Sequence, residues 1–179
     1  MIRQFDSPIG PLLAEATAQG IRQLSFEGES LILTARQGAD SDGPEVEALL
    51  QRLERELEEY FAGDRRSFDL PLDLSTGTPF RRNVWQTIAG IPFGETLTYA
   101  DVAMMSGAPN AYRAAGSACG ANPIVILIPC HRVVGSDGGL HGFGGGLDVK
   151  EWLLSHEGTS AKAGAAKRAK ARQVALVAG

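Results

Sequence analysis

Cysteine and histidine are scarce in this chain: two and three respectively among 179 residues, all of them at position 119 or later. Two thiols cannot make a cysteine-rich zinc site, and one bridge would add little to a chain of this length. The N-terminal half has neither thiol nor imidazole, which makes a transition-metal site there improbable. No apolar run approaches the roughly 20 residues that span a bilayer. The opening Met1-Ile2-Arg3-Gln4-Phe5-Asp6 lacks the apolar core of a signal peptide. No membrane partner and a cytoplasmic location are therefore expected. An apolar share of 44% with 21% charged residues is that of a globular protein with one core or two small ones.

A net charge of −4 would not by itself suggest nucleic acid, but the charge is unevenly placed. Residues 1–75 carry 7 Lys/Arg against 15 Asp/Glu, and residues 76–179 carry 10 against 6. Five basic and no acidic residues fall in 159–179. The pattern permits DNA binding by the C-terminal half without establishing it.

Residues 1–75 read as a scaffold. Short strands are expected up to Phe26, with turns at Ser7-Pro8-Ile9-Gly10-Pro11 and Ala18-Gln19-Gly20. A polar loop follows at Gln37–Gly43. Pro44 then opens a helix to about Ala62, with Leu49, Leu50, Leu53, Leu57 and Phe61 at helical spacing and Gly63 as its stop. Leu70–Ser75 reads as a linker to a second domain over 76–158, and a basic Ala/Lys-rich tail covers 159–179.

The second domain begins with a helix capped by Thr78 and led by Pro79. A helix-turn-helix pattern follows: Thr98 caps Tyr99–Ser106, Gly107 supplies the left-handed stop, and Asn110 caps Ala111–Cys119. This second helix carries small side chains, Ala114, Gly116 and Ser117 among them, with Arg113 as its only charge. Such a helix cannot read bases across a wide major groove. It can press its backbone against a minor groove about 6 Å wide, or pack tightly on a neighbouring helix. Ile124–Ile128 is a continuous apolar, strand-like run ending at Pro129, and Leu147 to about Glu157 forms the last helix.

Cys130 stands at the break after that apolar run, where nucleophiles are often presented. The thiolate is the reactive form and needs an adjacent base or cation. His131 is adjacent in sequence. Neighbouring residues do not face each other on a helix, so contact requires irregular backbone or a bridging water. Glu157 is a candidate to orient the imidazole. A structural Cys beside a His is the commoner case, and a Cys-His-Glu hydrolase triad is a further possibility.

The run Asn122-Pro123-Ile124-Val125-Ile126-Leu127-Ile128-Pro129-Cys130-His131-Arg132-Val133 closely resembles the active-site signature of the O6-alkylguanine-DNA alkyltransferase family. The likeness continues through Lys150-Glu151-Trp152-Leu153-Leu154 to His156-Glu157-Gly158, and includes Pro79-Phe80, Pro92-Phe93-Gly94-Glu95-Thr96 and Tyr99. It implies an α+β fold: a ribonuclease H-like α/β N-terminal domain, then a mostly helical, winged-helix-like domain with a helix-turn-helix. It implies a monomer that repairs DNA without cofactor or metal, extruding O6-alkylguanine, and O4-alkylthymine, through the minor groove. Cys130 would accept the alkyl group, one lesion per molecule. His131 would act as base through a water, Glu157 would fix its tautomer, and Tyr99 would donate a proton to N3 of the leaving guanine. Arg113 would fill the vacated stack, with Ala114, Gly116 and Ser117 on the DNA-facing helix. Asn122 would tie that helix to the active-site loop. Gly144 would offer a backbone N–H to O6, and the carbonyls of Cys130 and Val133 would accept from the exocyclic amine. Phe143 would wall the pocket, and Val125 would set tolerance for bulky adducts. A lesion sensor of the same fold would lack the acceptor; Cys130 argues against it.

Overall fold

The computed structural model describes residues 1–26 and 43–159. The expected loop at Gln37–Gly43, apart from Gly43, and the expected tail, apart from Thr159, lie outside the described residues. The chain divides into two compact units, Met1–Thr76 with Pro123–Leu127, and Gly77–Asn122 with the chain from Ile128 onward. The architecture is α+β.

In the first unit, β1 (Ile2–Phe5), β2 (Leu12–Thr17) and β3 (Gly20–Phe26) form an antiparallel sheet in that order. Its registers pair Phe5 with Leu12 and Leu12 with Phe26. Alternation puts Leu12, Ala14 and Ala16 of β2 in the core, and a register shift at Glu15/Ala16 sets Leu24 and Ile21 of β3, also buried, opposite Ala14 and Ala16. Helix α1 (Pro44–Ala62) covers them with Val46, Leu50, Leu53, Leu57 and Tyr60. Its inward stripe thus begins at Val46 and ends at Tyr60, and the expected Leu49 and Phe61 flank it half-buried. Gly63 closes the helix at φ 87°, donating to Tyr60 O, while Asp64 N bonds Glu59 O.

Two expectations fail here. The stretch read as a linker is pinned to β3: Ile21 N donates to Pro71 O and Asp73 N to Ile21 O, each at 2.8 Å. A Cβ on Gly20, at φ 147°, would collide with the Pro71 carbonyl, so this approach requires glycine. The Asp73 carboxylate is buried against Thr17 and Arg22. The apolar run after Pro123 is not a strand, and its first four residues join this unit together with Pro123. Leu24 N donates to Pro123 O and Val125 N to Leu24 O, after which the chain bends sharply. Leu127 N bonds Val125 O at 2.8 Å around Ile126, whose φ is +70°. This is a γ-turn in a sterically disfavoured region for a β-branched residue.

In the second unit, α2 (Pro79–Ala89), α3 (Tyr99–Met105), α4 (Tyr112–Gly120) and α5 (Leu147–His156) surround a core that includes Val84, Trp85, Ile88, Val102, Ala115, Ala118, Leu153 and Leu154. A two-residue parallel pair, β4 (Leu97–Thr98) and β5 (Val133–Val134), is the small sheet of the domain. Trp85 Nε1 donates to Ala118 O at 2.8 Å, which fixes α2 on α4. Thr78 caps α2 as expected. Thr98 and Asp101 form a reciprocal capping box on α3. Gly107 takes φ 80° between α3 and α4. The cap expected at Asn110 fails: α4 starts one residue later, with Ala111 at the cap position and no side-chain bond to the helix. No helix of the described residues is long and apolar enough to cross a membrane.

Candidate active site

Pro129 sets the geometry at Cys130. Its ring fixes φ at −79°, and with ψ 66° it forms an inverse γ-turn in which Cys130 N donates to Ile128 O at 2.8 Å. The chain then tightens into the 3-10 turn Cys130–Arg132. This is the irregular backbone that presenting Cys130 beside His131 requires. The Cys130 side chain is buried, 7% exposed, and its Sγ accepts from Asn122 Nδ2 at 3.2 Å. The same amide donates to Ile128 O at 2.7 Å. Asn122 therefore joins the end of α4 to the cysteine turn.

His131 is fully buried, and its Nε2 lies 2.9 Å from Glu157 Oε1. Glu157 follows α5 directly. Its two oxygens also receive Arg132 Nε and Nη2, each at 2.8 Å, and Gly94 N at 3.2 Å. Burial pushes this carboxyl up, but the bonds and charges of His131 and Arg132 outweigh it and hold Glu157 well below the usual carboxylate range. Burial drives the imidazole the other way, to below its ordinary 6.5, against a partial upward pull from Glu157. At neutral pH the pair is therefore a neutral imidazole beside a carboxylate. An ionised Glu157 can only accept, which assigns the His131 proton to Nε2 and leaves Nδ1 a free acceptor. Nδ1 is buried and has no hydrogen-bond partner among the described residues.

Two neighbours of this cluster escaped the reading of the sequence. Arg132 is buried, with Nη1 on Ile91 O at 2.5 Å, and it grips Glu157. Lys150 of α5 is fully buried, with Nζ on Val133 O at 2.7 Å and His141 O at 3.1 Å. Burial lowers its pKa, opposed by attraction to Cys130 and then Cys119. By reciprocity, that attraction favours negative charge on the sulfur. A basic residue at a core position of an amphipathic helix was the available signal for Lys150. The Val133 carbonyl expected to face a base thus already accepts from Lys150, and Cys130 O accepts from Val133 N. Each carbonyl keeps a second lone pair.

A cavity of about 410 Å³ opens nearby, lined by Tyr99, Tyr112, Gly116, Gly120, His141, Gly142, Phe143 and Gly144. The expected Tyr99, Gly116, Phe143 and Gly144 thus meet at one wall. Val125 does not line it and groups with the first unit. Tyr99 connects cavity and thiols. Its ring packs over Gly116, where an added Cβ would lie 3.6 Å away. Burial, then the nearby Cys119 and Cys130, push its hydroxyl up to about 12, so it stays a protonated donor. Burial likewise pushes the Cys119 thiol up to about 12. On α4, Arg113, Ala114, Ser117 and Gly120 are exposed, while Ala115, Ala118 and Cys119 face the core. The small outer face is therefore not taken up by packing. Among the described residues no cluster of His, Cys, Asp or Glu could hold a metal ion.

Together these features define a helix-turn-helix domain that carries a buried thiol beside an oriented histidine–glutamate pair. Residues 2–74 match the 6-O-methylguanine DNA methyltransferase ribonuclease-like domain, and residues 79–159 match the DNA-binding domain of the same proteins. A methylated-DNA–protein-cysteine methyltransferase of Methanosarcina barkeri is 45% identical over 86% of this chain and 94% of its own. The solved O6-methylguanine methyltransferase of Mycobacterium tuberculosis is 38% identical, with TM-score 0.72, over 87% of this chain and 91% of that one. Its complex with DNA is 40% identical with TM-score 0.76 over the same shares. The chain belongs to the 6-O-methylguanine DNA methyltransferase family.

Proposed function

We propose that this protein repairs alkylated DNA by moving the alkyl group of O6-alkylguanine, and of O4-alkylthymine, irreversibly onto Cys130. The observation that carries the reading is the buried His131, held by Glu157 through one ring nitrogen and left with a free acceptor on the other, one residue from the thiol. His131 takes the thiol proton through a water. The sulfur attacks the alkyl carbon, an S–C bond forms, the O6–C bond breaks, and its electron pair stays with the purine. Tyr99 gives its hydrogen to N3 of the guanine and is reprotonated. In net terms the thiol proton ends on the guanine and the alkyl carbon on sulfur. A thioether is not opened by thiol exchange, so each molecule acts once.

The target base is extruded through the minor groove. Exposed Ala114 and Ser117 let the α4 backbone approach DNA, and Arg113 enters the vacated stack. The Gly144 N–H faces O6, the Cys130 and Val133 carbonyls face the exocyclic amine, and Phe143 forms the wall. Cys119 and Cys130 form no disulfide, which fits a protein that works as a monomer in the reducing cytoplasm.

Incubation with an O6-methylguanine duplex should add one methyl mass to the peptide containing Cys130, in a burst of one equivalent. Sustained turnover would overturn the reading, as would transfer retained in Cys130→Ala. Arg113→Ala should slow transfer more from duplex than from single strands; equal losses would remove Arg113 from extrusion.

A further inference from the structure

Tyr112 is the one aromatic of the cavity that the mechanism leaves without a task. It is the first residue of α4, 51% exposed, and shares the cavity-facing side of that helix with Gly116 and Gly120, one and two turns on. Successive helical residues normally diverge. Here the guanidinium carbon of Arg113 nevertheless sits 5.8 Å from the centre of the Tyr112 ring, within cation–π range. Arginine loses much rotamer freedom when it is fixed in one place. Arg113 has no ion pair among the described residues, so the Tyr112 ring is the contact that narrows its options.

We infer that Tyr112 is a positioning residue for Arg113: its ring holds the guanidinium at the cavity mouth before DNA arrives, so that insertion into the stack and entry of the extruded base occur at one place. The inference rests on the proposed role of Arg113. The side chain is preorganised, and less entropy is lost when the guanidinium enters the duplex. As DNA excludes water from the pair, the contact strengthens.

The test is a double-mutant cycle on single-turnover methyl transfer from an O6-methylguanine duplex, using Y112L, Y112F, R113A and Y112L combined with R113A. Y112L keeps an apolar side chain at an exposed site, and its melting temperature reports folding. In the presence of Arg113, Y112L should slow transfer roughly threefold or more, while Y112F keeps the wild-type rate. In the R113A background Y112L should cost nothing further. Equal losses with and without Arg113 would overturn the inference, as would Y112F failing like Y112L. Wild-type protein that takes up no methyl would instead defeat the proposed function itself, which keeps the two failures apart.

Discussion

At the scale of single residues, the chemistry depends on which form His131 takes. Its pKa lies below 6.5 because burial disfavours the imidazolium more than Glu157 favours it. The base is competent when neutral, so the transfer rate should be flat through neutral pH and fall as pH drops through the lowered pKa. Glu157→Gln should do two things. It leaves the buried Arg132 without its counter-charge, a change worth roughly 3 kcal/mol of stability or more, visible in urea unfolding. It also removes the upward pull on His131, so the acid limb of the pH–rate profile should move to lower pH while the plateau drops at least roughly tenfold. An unmoved limb would mean that another group sets it. The sequence made His131 and Glu157 legible because an imidazole beside a thiol and a carboxylate to orient it have a recognisable chemistry. Arg132 and Lys150 stand in the same runs without such a cue, and their burial is a property of the fold: a charged side chain is read as surface until the carbonyls that receive it, Ile91 O and Val133 O, are seen.

At the scale of elements, local rules predicted the helices well, because α1, α2 and α3 each end or begin at a residue with its own backbone preference: Gly63, Thr78 with Pro79, and Thr98. Where tertiary bonds decide, local reading failed. Hydrophobicity made 124–128 look like a strand, yet Leu24 and the γ-turn at Ile126 divert it. Leu70–Ser75 looked free because nothing in its own sequence reveals the bonds to Ile21. Asn110 looked like a cap, but the turn before α4 places Ala111 there. The two helices of the helix-turn-helix should also differ in what they tolerate. Thr98→Ala removes half of the capping box and should cost about 1 kcal/mol, read as a lower melting temperature. Gly116→Ala should be neutral or stabilising, since a Cβ meets only the Tyr99 ring at an ordinary 3.6 Å and glycine inside a helix costs about 0.5–1 kcal/mol against alanine. A destabilised Gly116→Ala would show that the Tyr99 ring cannot yield at all.

At the scale of the whole molecule, each unit keeps a buried carboxylate with a depressed pKa against an arginine: Asp73 with Arg22 in the first, Glu157 with Arg132 in the second. Burial raises both carboxyls, and hydrogen bonds more than reverse it: from Ser75, Arg22 and Thr17 on Asp73, and from His131 and Arg132 on Glu157. Both folded pKa values therefore lie below the ordinary 3.8 and 4.5. A depressed carboxylate contributes stability that is complete above its unfolded pKa and is lost as pH falls through the folded one. The depressed His131 acts in the same direction from 6.5 downward, since the unfolded chain takes up its proton first. The melting temperature should thus be level at neutral pH, begin to decline below 6.5, and decline more steeply below 4.5. Asp73→Asn should remove only a part of that decline, the part that begins below 3.8, and leave the contribution of Glu157 in place. It leaves Arg22, whose side chain is 27% exposed, hydrated and still paired with Glu15 at 3.7 Å, so the cost at neutral pH should be smaller than that of Glu157→Gln, which strands an arginine only 7% exposed. Calorimetry across this pH range would decide the matter: a melting temperature that holds or rises in acid would mean that neither carboxylate is anchored as the geometry requires.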